Sequence, residues 1–163
     1  MDNKQQVLDA LECMGIYYEI CSHAPVNSID DCRAAEEQLH ALMPRNVFLC
    51  TTNQRHFALL LIRPKVPFRT SLISKQAGMS RLSFAPESEI KRLLGTYPGA
   101  VSPLGLIYDA QHEVKLIMDR ALLNEESLLF HPLDNACSLK INTEAFTQRF
   151  IARLGYEINL VDT

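Results

Sequence analysis

The stretch "RNVFLCTTNQRHFALLLIR", residues 45–63, decides how this chain is built. "RNVFLCT" (45–51) and "HFALLLIR" (56–63) are short apolar segments with valine, isoleucine and phenylalanine among their leucines, and the polar "TNQ" (52–54) lies between them. They read as two strands joined in a hairpin. So short a connection forces antiparallel pairing, because a parallel crossover needs a dozen or more residues. The second strand is apolar on successive residues and so on both faces, which places it inside a sheet.

Outward from this hairpin, helices and strands interleave. "NKQQVLDALECMG" (3–15) puts Val7, Leu8, Leu11 and Met14 on one helical stripe, with Gly15 suited to the left-handed position past its end. "IYYEICS" (16–22) reads as a strand, and "SIDDCRAAEEQLHAL" (28–42) as a helix capped by Ser28, with Asp30 and Asp31 complementing its dipole. Downstream, "SLISKQAGM" (71–79) reads as a short helix ending at Gly78 and "RLSFA" (81–85) as a strand. "PESEIKRLLG" (86–95) follows as a helix with Pro86 in its first turn and Gly95 at its end. "GLIYD" (105–109), "EVKLIMD" (113–119), "SLLFHP" (127–132) and "CSLKI" (137–141) read as strands, "TEAFTQRFIARLG" (143–155) as a terminal helix, and "YEINLV" (156–161) as a last strand. With no repeat, low-complexity tract or linker, the expectation is α+β (mixed α/β): one domain over 1–163, its sheet mixed and largely antiparallel, surrounded by helices.

Composition narrows the functional classes. A chain of 163 residues, 47% hydrophobic and 21% charged, matches ordinary globular usage and excludes a fibre or a disordered segment. "MDNKQQVLDALECMG" (1–15) lacks the basic start and apolar run of a signal peptide, and no stretch approaches the ~20 apolar residues that cross a bilayer, so a cytoplasmic protein without membrane contact is expected. Five cysteines (Cys13, Cys21, Cys32, Cys50, Cys137) form no C-x-x-C pair, and five histidines show no spacing that would set two ligands on one helical face. Free thiols, no metal and no cofactor are the expectation.

Charge is unevenly spread. Between Arg45 and Arg92 nine basic residues face only Glu87 and Glu89, a net +7 in a chain of net −3. Exposed charges farther apart than the Debye length, ~8 Å at physiological salt, are largely screened from one another, so one basic block can attract a polyanion to an acidic protein. Lys75, Arg81 and Arg92 lie in polar segments of that block and are its candidate nucleic-acid contacts.

Two loops carry the candidate chemistry. "LLGTYPGAVSPLGL" (93–106) crowds glycines, prolines and the hydroxyls of Thr96, Tyr97 and Ser102 among apolar residues, a mixture that suits neither helix nor plain strand. Glycine lets backbone N–H groups approach a ligand closely, and proline restrains the loop, so the stretch can preposition donors for a developing oxyanion. Ser102 is either a further donor or the acceptor of a local turn bond. In "HPLDN" (131–135) the proline after His131 confines its backbone to extended conformations and so fixes where the imidazole points; Asn135 reads equally as a polar site residue or a turn former.

The order "PRNVFL", "LSFA", "LLGTYPGAVSPLGL", "IMD", "HPLDN", "FTQRFI" resembles, over roughly residues 5–160, the prolyl-tRNA editing domain family. Within it the chain looks most like the free-standing deacylases that clear alanine mischarged onto proline tRNA. The resemblance implies a mixed, barrel-like sheet, a pocket for the aminoacylated end of tRNA, and ester hydrolysis without a metal. It also implies a partner in aminoacylated tRNA, with prolyl-tRNA synthetase as a second candidate, and leaves the oligomeric state open. By position, Gly99, Ala100, Val101, Ser102 and Pro103 form the family's glycine-to-proline loop, Arg45 and Asn46 hold the substrate, His131 lines the amino-acid pocket, and Asn135 matches a polar substrate-binding position near it. Where the family commonly has lysine, this chain has Arg45, which stays charged and cannot move a proton. Two alternatives stand beside this reading: a non-catalytic relative that binds tRNA or a synthetase, and a deacylase for another small residue such as cysteine or serine.

Overall fold

The structure is a computed structural model that describes residues 2–26 and 30–163; the expected Ser28 cap lies outside the described residues. The first helix, α1 (Asn3–Cys13), is capped by Asp2, whose carboxylate accepts the Gln5 N–H at 2.7 Å. It ends where Gly15, at φ +68°, lets the Ile16 N–H turn back to the Leu11 carbonyl at 2.9 Å. That return keeps Ile16 in the core, so β1 begins only at Glu19 (Glu19–Ser22). A turn of 3-10 helix (Asp30–Cys32) leads into α2 (Arg33–Leu39), which His40 ends at φ 54°.

The hairpin forms as the sequence implies: β2 (Arg45–Thr51) pairs antiparallel with β3 (Phe57–Ile62), Arg45 opposite Ile62, with the Gln54 N–H on the Thr51 carbonyl at 2.8 Å closing the turn. All six residues of β3 are buried. Leu59 and Leu61 face one core with Phe130 and Phe146, while Ala58, Leu60 and Ile62 face another with Ile73 of α3 (Thr70–Ala77). There follow β4 (Leu82–Phe84), α4 (Glu87–Leu94), β5 (Val114–Asp119), β6 (Ser127–Phe130), β7 (Cys137–Asn142) and β8 (Ile158–Val161). Pro86 sits at the cap of α4, one position earlier than expected.

Five strands order as β4-β2-β3-β5-β8 and three as β1-β7-β6. The β3–β5 and β5–β8 pairs are parallel and the rest antiparallel, so the sheet is mixed and largely antiparallel as expected. It is not barrel-like. The two sheets stay open and meet at an isolated bridge between Leu42 and Leu128, where the Leu129 N–H reaches the Leu42 carbonyl at 2.8 Å. Pro44, two residues on, has no N–H with which to carry that ladder into β2. The outer edges of the larger sheet, β4 and β8, are only three and four residues long.

A second correction concerns "GLIYD", which is 3-10 helix (Pro103–Tyr108) rather than strand. Pro103 takes the first helical position, where its missing N–H costs nothing, and the Ser102 hydroxyl accepts the Leu104 N–H at 3.1 Å. The terminal helix runs from Thr143–Ala145 through a π-helical Phe146–Ile151 to Ala152–Leu154.

Gly105 locks the 3-10 segment against α4: a Cβ there would lie 2.3 Å from the Leu94 carbonyl oxygen. Gly105→Ala is expected to lower stability by about 3 kcal/mol, the upper range for overpacking, because the obstacle is backbone. Gly78→Ala meets no atom within 4 Å and pays only for its φ of +66°, about 1 kcal/mol. Urea midpoints of the two variants check this ordering; equal losses would contradict it.

Candidate functional site

The early part of β2 has a strand on one side only. β4 pairs with Leu49 through Thr51, and the Ala85 N–H reaches the Phe48 carbonyl at 3.0 Å, so the edge at Arg45–Val47 has no strand over it. By the alternation of an antiparallel ladder, Asn46 turns its N–H and C=O to the same side as Phe48, beyond the reach of β4. Against this edge lies a cavity of about 200 Å³. Arg45 and Asn46 form one wall, Pro98, Gly99 and Val101 a second, His131 a third, and Val26, Cys32, Met43 and Pro44 close it.

Each wall is held from behind. The Arg45 guanidinium lies over the Phe68 ring, 5.2 Å from its centroid. Asn46 donates from Nδ2 to the Pro44 carbonyl at 3.3 Å, while its Oδ1 is buried with no hydrogen-bond partner among the described residues. A buried acceptor without a donor costs about 1–3 kcal/mol, so Asn46 is primed to accept from a ligand. The Met43 N–H is held by the Glu36 carboxylate at 3.3 Å, which ties α2 to this wall.

His131 is 6% exposed. Its Nδ1 lies 2.8 Å from the Cys137 carbonyl, which can only accept; Nδ1 therefore carries the proton and Nε2 is a free acceptor in the neutral ring. Burial pushes its pKa below the ordinary 6.5, partly offset by that carbonyl, and the His23 ring 6.3 Å away acts with burial. The Cys32 thiol is pushed up to about 11, first by burial and then by Glu36 and Asp31. Cys32 is thus a neutral thiol at physiological pH and not a nucleophile.

The glycine-to-proline loop is split by the fold. Gly99 and Val101 reach the cavity, whereas Ala100, Ser102 and Pro103 are buried behind it. Ala100 gives its N–H to the Tyr97 carbonyl at 2.9 Å, and Ser102 is occupied by its turn bond to Leu104. Asn135 is not on the cavity wall. It ties three loops: Nδ2 donates to the Val26 carbonyl at 3.0 Å, while the Tyr97 hydroxyl donates to Oδ1 at 2.9 Å and accepts the Asn135 N–H at 3.0 Å. A Cβ on Gly99 would come to 3.3 Å from that Nδ2, so any side chain there would push the latch outward by a few tenths of an ångström. Sequence reasoning quoted Tyr97 without assigning it; an aromatic residue directly before Pro-Gly was the available signal.

Lys75, Arg81 and Arg92 do not gather here. Arg81 precedes Leu82, which pairs with Thr51 at the far end of β2, and Lys75 sits in the last turn of α3. Arg92 is held by Glu89 at 2.6 Å and Glu113 at 2.9 Å, which raise its pKa further. The seven residues of β2 separate the two ends by about 20 Å. A larger cavity of about 730 Å³ opens at that far end, but polar groups on its wall are already engaged: the Lys115 ammonium with the Ala77 carbonyl at 2.6 Å, and the Tyr156 hydroxyl with Asp109 at 2.7 Å.

A small cavity with a charged guanidinium, a primed amide and a glycine loop on its wall, and with Cys32 as a neutral thiol, carries groups suited to water-mediated attack on an ester or amide. The chain belongs to the aminoacyl-tRNA editing domain family, whose model matches residues 23–148. It is therefore a hydrolase of the aminoacyl-tRNA deacylase kind. The prolyl-tRNA editing protein ProX of Acetoanaerobium sticklandii is 28% identical over 144 residues, 88% of each chain. The prolyl-tRNA synthetase associated domain-containing protein 1 of Mus musculus is 26% identical, covering 90% of this chain and 88% of its own. A solved structure described as a candidate trans-editing enzyme for prolyl-tRNA synthetase has the same fold, with a TM-score of 0.72 at 16% identity over 99% of this chain and 96% of its own.

The His131 environment predicts a pH effect. Its folded pKa lies below its unfolded one, so the unfolded chain takes up a proton first and stability falls as pH drops through 6.5, levelling off below the folded pKa. Urea unfolding between pH 8 and 5 is expected to show this decline, at most about 1.4 kcal/mol per pH unit, and His131→Gln to flatten it. An equal decline in both proteins would contradict the assignment.

Proposed function

We propose that this protein is a free-standing editing deacylase that hydrolyses alanyl-tRNA(Pro) in the cytoplasm, beside prolyl-tRNA synthetase. The observation that carries this reading is the meeting of Arg45, Asn46, Gly99, Val101 and His131 around one 200 Å³ cavity, from three separate parts of the chain. The name of the ProX relative supports the substrate class. A synthetase site for proline cannot strictly refuse smaller alanine, because one methylene is worth only ~1–3 kcal/mol of discrimination; a second, smaller pocket removes the error.

In this mechanism the alanyl group enters the cavity with its methyl toward Val26 and its ammonium toward the free Nε2 of His131. Arg45 and Asn46 hold the ribose, Asn46 Oδ1 accepting a hydroxyl of the sugar. Water attacks the ester carbonyl, and backbone N–H groups at Gly99 and Val101 stabilise the oxyanion. With His131 Nε2 turned to the ammonium, the vicinal ribose hydroxyl takes part in the proton transfer. Arg45 supplies charge without titration, and a lysine at this position would keep that charge. The acceptor stem then extends along β2 toward Lys75 and Arg81, and Arg92, bound by its two glutamates, contributes less.

Deacylation of a panel of mischarged tRNAs tests this reading. Wild type is expected to hydrolyse alanyl-tRNA(Pro), Arg45→Lys to keep or raise that rate, and Arg45→Ala to lower kcat/KM by about 100-fold. His131→Ala is expected to gain hydrolysis of prolyl-tRNA, because the cavity opens. Lys75→Gln with Arg81→Gln is expected to flatten the salt dependence on whole tRNA and spare alanyl-adenosine. No hydrolysis of any mischarged tRNA by the wild type would leave the non-catalytic alternative; preference for cysteinyl or seryl esters would replace alanine as the substrate.

A further inference from the structure

The His131 ring is aimed by the bond from its Nδ1 to the Cys137 carbonyl. That carbonyl belongs to the peptide joining Cys137 to Ser138 at the start of β7, so whatever fixes this peptide fixes the ring. Ser138 is fully buried, and its hydroxyl lies 2.7 Å from Nε2 of His23. The other ring nitrogen of His23, Nδ1, lies 2.8 Å from the Ala24 carbonyl, which can only accept. Nδ1 therefore carries the proton, and Nε2 accepts the hydroxyl proton of Ser138. The spacing is that of a nucleophile and its base, but Ser138 has no exposed surface for a substrate to reach. The pair holds structure instead. Two backbone bonds run beside it: the His23 N–H donates to the Ala136 carbonyl at 2.9 Å, and the Val26 N–H to the Asn135 carbonyl at 3.0 Å.

We propose that His23 is a positioning residue for the deacylase: through Ser138 it holds the Cys137–Ser138 peptide so that His131 presents an unprotonated Nε2 to the α-ammonium of the aminoacyl group. The inference rests on the deacylase reading above and goes further by naming what aims His131. His23 lies outside the cavity wall, with its ring edge-on to that of His131 and the centroids 6.3 Å apart. Which nitrogen of an imidazole keeps the proton is set by the bond that the other one makes. If the peptide shifts and Nδ1 loses its carbonyl, the proton can move to Nε2, and the ring then turns a donor toward the ammonium. The same clamp reaches the opposite wall, because Val26, three residues beyond His23, lines the cavity.

The test compares 3′-O-alanyl-adenosine with 3′-O-propionyl-adenosine, which differs only in lacking the α-ammonium. Each variant is measured against wild type on the same ester, so the unequal intrinsic reactivity of the two esters cancels. His23→Ala and Ser138→Ala are each expected to raise KM for the alanyl ester about tenfold with kcat kept, the size of one hydrogen bond to a charged group, and to leave the propionyl ester unchanged. The double variant is expected to lose no more than either single one, since both remove the same bond. His23→Gln, whose amide oxygen can accept from Ser138, is expected to retain the low KM. Nitrogen-15 spectra of the His131 ring give a readout apart from activity, with the proton fixed on Nδ1 in wild type and His23→Gln and exchanging between both nitrogens in Ser138→Ala. Equal losses on the two esters in His23→Ala, no loss on either, or a proton still fixed on Nδ1 in Ser138→Ala would overturn the positioning role while leaving the deacylase reading in place. Hydrolysis of neither ester by wild type, together with none on whole tRNA, would overturn both.

Discussion

The short reach of β4 is the constraint on which the site depends. Because this strand pairs only with Leu49–Thr51, β2 is covered along its later half and open along its earlier half. β3, buried on both faces, holds the other side of β2 rigidly in register, so the open edge is presented by a fixed strand rather than a loop. Arg45 and Asn46 occur where a packed sheet would normally place another strand, and the cavity fills that gap.

The loop over this edge is stiffened by few groups. Pro98 and Pro103 restrain the backbone, Ser102 caps the following 3-10 turn, and Gly105 presses that turn onto the Leu94 carbonyl. Tyr97 and Asn135 then fasten the loop to the Val26 segment and to the stretch after His131. Leu133 adopts φ 61° in that stretch, a left-handed conformation that a leucine rarely takes and that the surrounding contacts must hold. Ser102 and Asn135 thereby stand behind the cavity wall: they set where Gly99, Val101 and His131 stand.

Much of this was legible in the sequence because it is local. Hairpin length, the unbroken apolar run of β3 and the glycines past helix ends act over a few residues, and each produced the element expected of it. "GLIYD" misled because its apolar residues suit a strand, while the signals that made it 3-10 helix are a hydroxyl and a proline just upstream and a contact with Leu94 eleven residues away. The open sheets escaped notice for a similar reason: whether Leu42 and Leu128 begin a ladder or end one depends on Pro44 and on strands far apart in sequence. At the site, the types of Arg45, Gly99 and His131 pointed to chemistry, but Tyr97 and His23 showed their positions only when tertiary structure brought distant loops together. The basic block illustrates the converse, since cations close in sequence are separated by the fold, Arg45 at the start of β2 and Arg81 beside its far end.

The central claim is that an aminoacyl ester lies against the early edge of β2, its amino acid toward His131. A crystal structure with 3′-deoxy-3′-alanylamido-adenosine, whose amide replaces the labile ester, tests it most directly. The account predicts the alanyl methyl among Val26, Met43 and His131, and the ribose between Arg45 and Val101. Density for the ligand in the 730 Å³ cavity at the other end of β2, or an alanyl group turned away from His131, would contradict it.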